Sequence, residues 1–204
     1  MKPLTRWVVL ASVIVMAGAL VFPLWKITLD APQYPEGLEM QISSTGVSGN
    51  VEQINDLNHY IGMKKITNDE FPEFSMLPYF ISGLMLLGLA VYYLNSRSML
   101  YIWIAVIIIL GTVGMIDFYQ WEYLYGHQLD PTAAIKVPGM AYQPPMIGYK
   151  QLLNFLAGAF PGIGGYCIII PGMSLLAVGM YEFFSHHKFH FPVRVKRHHH
   201  ALAH

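Results

Sequence analysis

Residues 76–116 read MLPYFISGLMLLGLAVYYLNSRSMLYIWIAVIIILGTVGMI, and Arg97 is the one charged side chain in the run. A helix that crosses the hydrocarbon core of a bilayer takes about 20 mostly apolar residues. The stretch holds two such segments, at about 76–95 and 99–116. Ser96-Arg97-Ser98 between them is too short for anything but a hairpin, so these two helices are antiparallel neighbours. Outward from this pair, about 7–25 and 163–184 are similarly apolar, which makes four spans. Lys2 and Arg6 precede the first span as they would a signal peptide. No small-x-small cleavage site follows it, and Phe22-Pro23-Leu24-Trp25 stands there instead, so it reads as an uncleaved anchor. Gly83, Gly88, Gly111 and Gly114 would let helices approach closely.

Composition supports the same reading. Of 204 residues, 54% are hydrophobic and 12% charged. Soluble domains carry about 25% charged residues. A chain with half that share excludes an ordinary soluble domain and a disordered segment, and a single Cys excludes a disulfide scaffold. Net charge is zero, but its distribution is uneven. Both termini and the central hairpin fall on one side of the four spans. That side carries Lys2, Arg6, Arg97, Lys188, Arg194, Lys196 and Arg197 against Glu182 alone. The other side carries Lys26, Lys64, Lys65, Lys136 and Lys150 against eleven carboxylates. Positive residues mark the cytoplasmic face. The expected placement is therefore a bacterial inner membrane, with both termini cytoplasmic and the two long loops periplasmic. Trp25, Trp121 and the tyrosines from Tyr119 to Tyr125 fall where interfacial aromatic belts belong.

The expected fold class is mainly α: a four-helix transmembrane bundle (residues 1–185) whose loops, about 26–75 and 117–162, form a small periplasmic cap. Residues 186–204 form a cytoplasmic tail. In the first loop Ile27, Leu29 and Ala31 alternate with polar residues, as do Leu38, Met40 and Ile42, so two short strands are expected there. A Pro/Gly turn at 32–37 lies between them. Val51, Ile54, Leu57, Ile61 and Ile66 suit an amphipathic helix with Asn50 as its N-cap. In the second loop residues 117–123 continue the third span out of the bilayer, Asp130-Pro131 starts a turn, and Pro138, Pro144 and Pro145 fix extended chain. Lys150 to Phe155 reads as a short helix, and Pro161-Gly162 and Gly164-Gly165 as the hinge into the fourth span.

The sharpest local chemistry lies in Asn58-His59-Tyr60-Ile61-Gly62-Met63. On a helix His59 and Met63 would share a face. An imidazole with a soft thioether suits Cu(I) and not Mg²⁺ or Ca²⁺. Met40, Met140 and Met146 also lie outside the spans, in segments shaped by Pro and Gly. The expected metal ligands are His59, Met63, Met40 and Met140. The bland alternative is that Met fills gaps in a core and that a lone His is structural. Asp117, Glu122, Asp130 and His127 are a second candidate cluster, for acid–base or metal chemistry, because a carboxylate at a span edge is costly. No nucleophile motif, phosphate loop or haem CxxCH motif is present, so no enzyme is expected. His186, His187, His190, His198, His199, His200 and His204 crowd the tail among basic residues. That tract suits either metal or anionic headgroups. Cys167, within the fourth span, reads as a small apolar residue.

Three segments carry a resemblance: residues 29–38 (LDAPQYPEGL), 57–63 (LNHYIGM), and 130–145, from Asp130-Pro131 through Ile135-Lys136-Val137-Pro138-Gly139-Met140 to Tyr142-Gln143-Pro144-Pro145. With residues 151–155 they make the chain resemble the uncharacterised four-span membrane proteins encoded beside nitrous oxide reductase and its copper-maturation factors, as in Bacteroidota. The resemblance implies a periplasm-facing accessory protein for copper handling in nitrous oxide reductase maturation. Its cargo would be Cu(I), and its partners the bilayer and a copper chaperone or maturation protein. No nucleic-acid partner is expected. The histidine-rich tail stands outside the family pattern. The alternative is a docking or electron-route subunit of a membrane redox complex, with Tyr34, Tyr60, Trp121 and Tyr142 as interface residues.

Overall fold

The computed structural model describes residues 1–186, and the tail from His187 onward lies outside the described residues. Pro3 opens α1 (Pro3–Met16), where its missing N–H costs nothing, and a 3₁₀ turn carries the helix on to Leu20. The next helices are α2 (Val51–Ile61), α3 (Glu73–Leu94), α4 (Arg97–His127) and α5 (Ile163–His186). Four helices are long and apolar enough to cross a membrane: Pro3–Leu20, Glu73–Leu94, Arg97–His127 and Ile163–Ser185. That arrangement fits a multi-pass membrane protein. The α3–α4 link is tight. Asn95 ends α3 in the left-handed conformation, and the hydroxyl of Ser96 caps α4. The Met1 amine donates to the Asn95 carbonyl, and the Lys2 N–H and Arg97 Nε both donate to Glu182, so the N-terminus, this hairpin and the end of α5 share one end of the bundle.

The opposite end goes beyond the mainly α bundle with two short strands that the sequence leads one to expect. The loops build a five-stranded antiparallel sheet in the order β3-β2-β1-β5-β4. The first loop supplies β1 (Trp25–Ala31), β2 (Tyr34–Ser43) and β3 (Gly46–Gly49), and the second supplies β4 (Gly148–Leu152) and β5 (Phe155–Pro161). The central pair joins the loops, running from Trp25 opposite Pro161 to Asp30 opposite Leu156. The alternation seen at Ile27 and Met40 survives as register: Ile27 pairs with Met40 and Leu29 with Leu38, all on the inner face. Two boundaries move. Residues 7–25 are not one span, because the helix ends at Leu20 and Trp25 starts β1. Lys150 to Phe155 is not a helix but the β4–β5 hairpin, turning at Leu153 with φ +55°.

The junction between bundle and sheet is built on glycine. A Cβ on Gly162, Gly164 or Gly165 would overlap the carbonyl oxygens of residues 22–24. Their closeness lets Gly162 N–H donate to Leu24 and Gly164 N–H to Pro23, at 2.9 and 2.8 Å. Inside the bundle one expected close approach is realised. A Cβ on Gly88 would overlap the Trp103 ring and Val13, whereas Gly83, Gly111 and Gly114 have nothing within 4 Å. Trp103, fully buried, donates its indole N–H to the Leu84 carbonyl at 2.9 Å, which fixes the ring beside Gly88. Gly88→Ala is therefore expected to destabilise by about 1–3 kcal/mol through overpacking. Gly111→Ala should be neutral, or stabilising by up to about 1 kcal/mol through helix propensity. Thermal unfolding of the two variants in detergent checks this, with only Gly88→Ala melting lower than the parent.

Candidate functional site

The inner face of the sheet is roofed by α2 and by the last turns of α4. With 31 residues, α4 is about 46 Å long at 1.5 Å per residue, well beyond the hydrocarbon thickness. Its apolar part, 99–116, is by itself long enough for a crossing. Residues 117–127 project past it and pack against the sheet, with Phe118, Trp121 and Tyr125 in the core there. Trp121 and Tyr125 pack at 4.3 Å between centroids, tilted by 30°, and Phe71 closes on Trp121 at 4.5 Å.

Helix α2 presents Ile54, Asn55, Asn58 and Ile61 inward, spaced three and four residues apart. Asn50 sits at its N-cap position, as its sequence suggests, but its side-chain oxygen accepts from Glu39 N–H of β2 instead of capping the helix. The helix ends in a Schellman motif. Gly62 is left-handed at φ +80°, and Met63 N–H donates to the Asn58 carbonyl at 2.9 Å. Asn55 then clasps the following segment, donating to the Ile66 carbonyl at 2.9 Å and accepting from its N–H at 2.7 Å. The second loop locks onto the same corner through Asp130 N–H to Gly62 and Ile135 N–H to Tyr60.

These elements line a cavity of about 70 Å³. Its walls are mostly aliphatic and aromatic, and a small polar set faces them. Both carboxylate oxygens of Glu122, Nδ2 of Asn58, the Tyr142 hydroxyl and Nε1 of Trp121 are buried without a hydrogen-bond partner among the described residues. All four residues line this one cavity. Among the described residues the only other such atom is Nε1 of Trp25. A buried polar group without a partner costs about 1–3 kcal/mol. Several gathered at one place need an explanation beyond apolar packing. Glu122 has no exposed surface. Burial pushes its carboxyl up to about 7, against the pull of Lys150. Tyr142 is held over the cavity by its N–H to the Gly126 carbonyl at 2.9 Å. Gly126 allows that approach, since a Cβ there would strike the Gln143 backbone.

The four expected ligands separate. Met40 and Met63 both line the cavity. His59 and Met140 do not. His59 is on the exposed face of α2, against Tyr60, and Met140 is half-buried past the Gly139 turn. The shared face read for His59 and Met63 assumed that the helix continues, but Gly62 ends it and turns Met63 inward. The second cluster separates too. Only Glu122 reaches the cavity. Asp117 is exposed, and His127 is exposed and stacked on Tyr123 at 3.9 Å, its Nδ1 2.9 Å from the Tyr123 carbonyl. The Asp130 carboxylate accepts from the N–H and hydroxyl of Thr132, which holds it below the usual range, and it forms a surface turn. Among the described residues no three His, Cys, Asp or Glu side chains gather as a metal site. The donors here are two thioethers and one carboxylate. Asn58 was the residue that spacing could have flagged, as a polar side chain on the apolar stripe between Ile54 and Ile61.

No family model, curated protein or solved structure matches this chain.

The unpartnered carboxylate makes stability depend on pH. The unfolded chain releases this proton near 4.5, whereas the folded chain holds it to about 7. Between those values the folded state carries the extra proton, so stability falls as pH rises. The slope is about 1.4 kcal/mol per pH unit, for a total on the order of 3 kcal/mol. Glu122→Gln removes this dependence. Melting curves at pH 5 and pH 8 should show the parent losing more than the variant. Parallel losses would mean that Glu122 ionises in water.

Proposed function

We propose that this chain is a membrane-embedded accessory protein that holds Cu(I) in the cavity beneath its sheet and passes it to a partner. The observation that carries the reading is that Met40 and Met63, from different elements, line one small buried cavity. Thioethers are neutral, soft and individually weak ligands, which suits Cu(I) and suits ligand exchange over permanent storage. On this reading the sheet faces the periplasm and both termini face the cytoplasm, because Lys2, Arg6 and Arg97 sit at the hairpin end and the carboxylate-rich loops at the other. The partner would be a copper chaperone or a maturation factor of nitrous oxide reductase, the context implied by the resemblance. His59 and Met140 are left out of the site. A docking role finds support in Ile135, Val137, Ile147 and Tyr149, exposed apolar side chains of the second loop that could receive such a partner.

The test is Cu(I) competition on detergent-purified protein. Met40→Leu and Met63→Leu nearly conserve volume. Each should weaken cavity binding by at least about 10-fold, about 1.4 kcal/mol, and leave the melting temperature within a few degrees of the parent. His59→Ala should bind as the parent does. Unchanged affinity in both Met variants would remove the cavity from consideration.

A further inference from the structure

We propose that Glu122 is the anionic ligand of the cation held by Met40 and Met63, and that its single charge makes the site selective for a monovalent ion. This rests on the reading that a soft cation occupies the cavity.

Three elements bring the donors together. Met40 comes from β2, Met63 from the chain just after the Gly62 cap, and Glu122 from the extramembrane end of α4. All three line the same space. Two thioethers supply electron pairs but no charge. A bare cation moved into walls of Ile, Leu and aromatic rings is opposed by several kcal/mol unless a counter-charge travels with it or waits there. Among the described residues Glu122 is the only carboxylate lining the cavity. Both its oxygens lack a partner, so neither is committed to holding the fold together. One carboxylate with one monovalent ion leaves the cavity neutral, whereas a divalent ion would leave one uncompensated positive charge. Soft donors and charge balance thus favour the same ion, Cu(I) over Zn²⁺. Asn58 lacks a charge to add, and its Nδ2–H groups suit a carboxylate oxygen that the ion does not take.

The experiment uses the full chain, so that the tail histidines contribute equally to every sample. The Met40→Leu, Met63→Leu double variant reports what the tail and the rest of the chain bind outside the two thioethers, and the difference from the parent is the cavity site. Cu(I), its redox-stable surrogate Ag(I), and Zn²⁺ are the probes. Glu122→Gln keeps shape and loses charge. It should lose cavity affinity for Cu(I) and Ag(I) by roughly 100-fold, the usual scale for breaking a buried charge pair. Glu122→Asp keeps the charge and should bind more tightly than the Gln variant. It also covers the case in which Gln disturbs folding. In the parent, Zn²⁺ should show no site beyond those of the double variant. If Glu122→Gln binds like the parent while Met63→Leu does not, the thioether site stands and Glu122 is not part of it. A parent indistinguishable from the double variant overturns both statements.

Discussion

The pairing of β1 with β5 is the constraint on which the rest of the structure depends. These strands come from different loops, and each is continuous with a membrane-type helix. Strand β1 follows α1 after a few residues, and β5 leads into α5 through Gly162. Once Trp25 lies opposite Pro161, α1 and α5 must descend side by side. Their contact is visible at both ends. A Cβ on Gly18 would stand 2.6 Å from the Cys167 sulfur, and at the far end Thr5 bonds Glu182. The pairing is strong for an ordinary reason. Loop backbone leaving a bilayer edge must satisfy its N–H and C=O groups, and a shared sheet does so for both loops at once.

The cavity follows from that arrangement combined with the excess length of α4. A sheet with one covered face needs a roof, and the first loop provides only the short α2. The turns of α4 past residue 116 supply the remainder, and they bring Trp121, Glu122 and Tyr125 against the inner face. Opposite them, Ala157 and Ala159 of β5 are fully buried and small. Bulky aromatics facing alanines leave space that neither fills. The polar atoms found there come from α2, α4 and the 142–144 segment, so the site exists only when both loops have folded together.

Sequence and structure agree where one physical signal dominates. Unbroken apolar runs predict the long helices, and alternation at Ile27–Ala31 and Leu38–Ile42 predicts β1 and β2. The apolar stripe of α2 was equally plain. The β4–β5 hairpin was not, because its turn carries Leu153 at positive φ where Gly, Asn or Asp would be the usual signal. Gln151-Leu152-Leu153-Asn154 has good helix formers, and tertiary pairing with β1 overrides them. The cavity lining is legible in part. Residue type picks out Met40 and Met63, and both line it. His59 was misplaced by assuming that the helix runs through Gly62, although a glycine just past a periodic run is itself a stop signal. Glu122 was grouped with Asp117 and His127 by nearness in sequence, but on α4 those three diverge around the axis.

Two fully buried glutamates show why burial alone does not mark function in this protein. Glu182, at the hairpin end, is surrounded by donors: the Lys2 backbone N–H and the Thr5 hydroxyl on one oxygen, and Arg97 Nε at 2.8 Å on the other. Every part of it is committed to holding α1, α4 and α5 together. Glu122, at the sheet end, has no donor at either oxygen among the described residues. The chain thus satisfies a buried carboxylate completely in one place and leaves another without partners beside two thioethers and an amide. Packing would be served better at the second position by leucine, which fills similar space without the desolvation cost. The same cost would be offset by a cation of the kind proposed for this cavity, which would give the carboxylate the partner that the described residues do not supply.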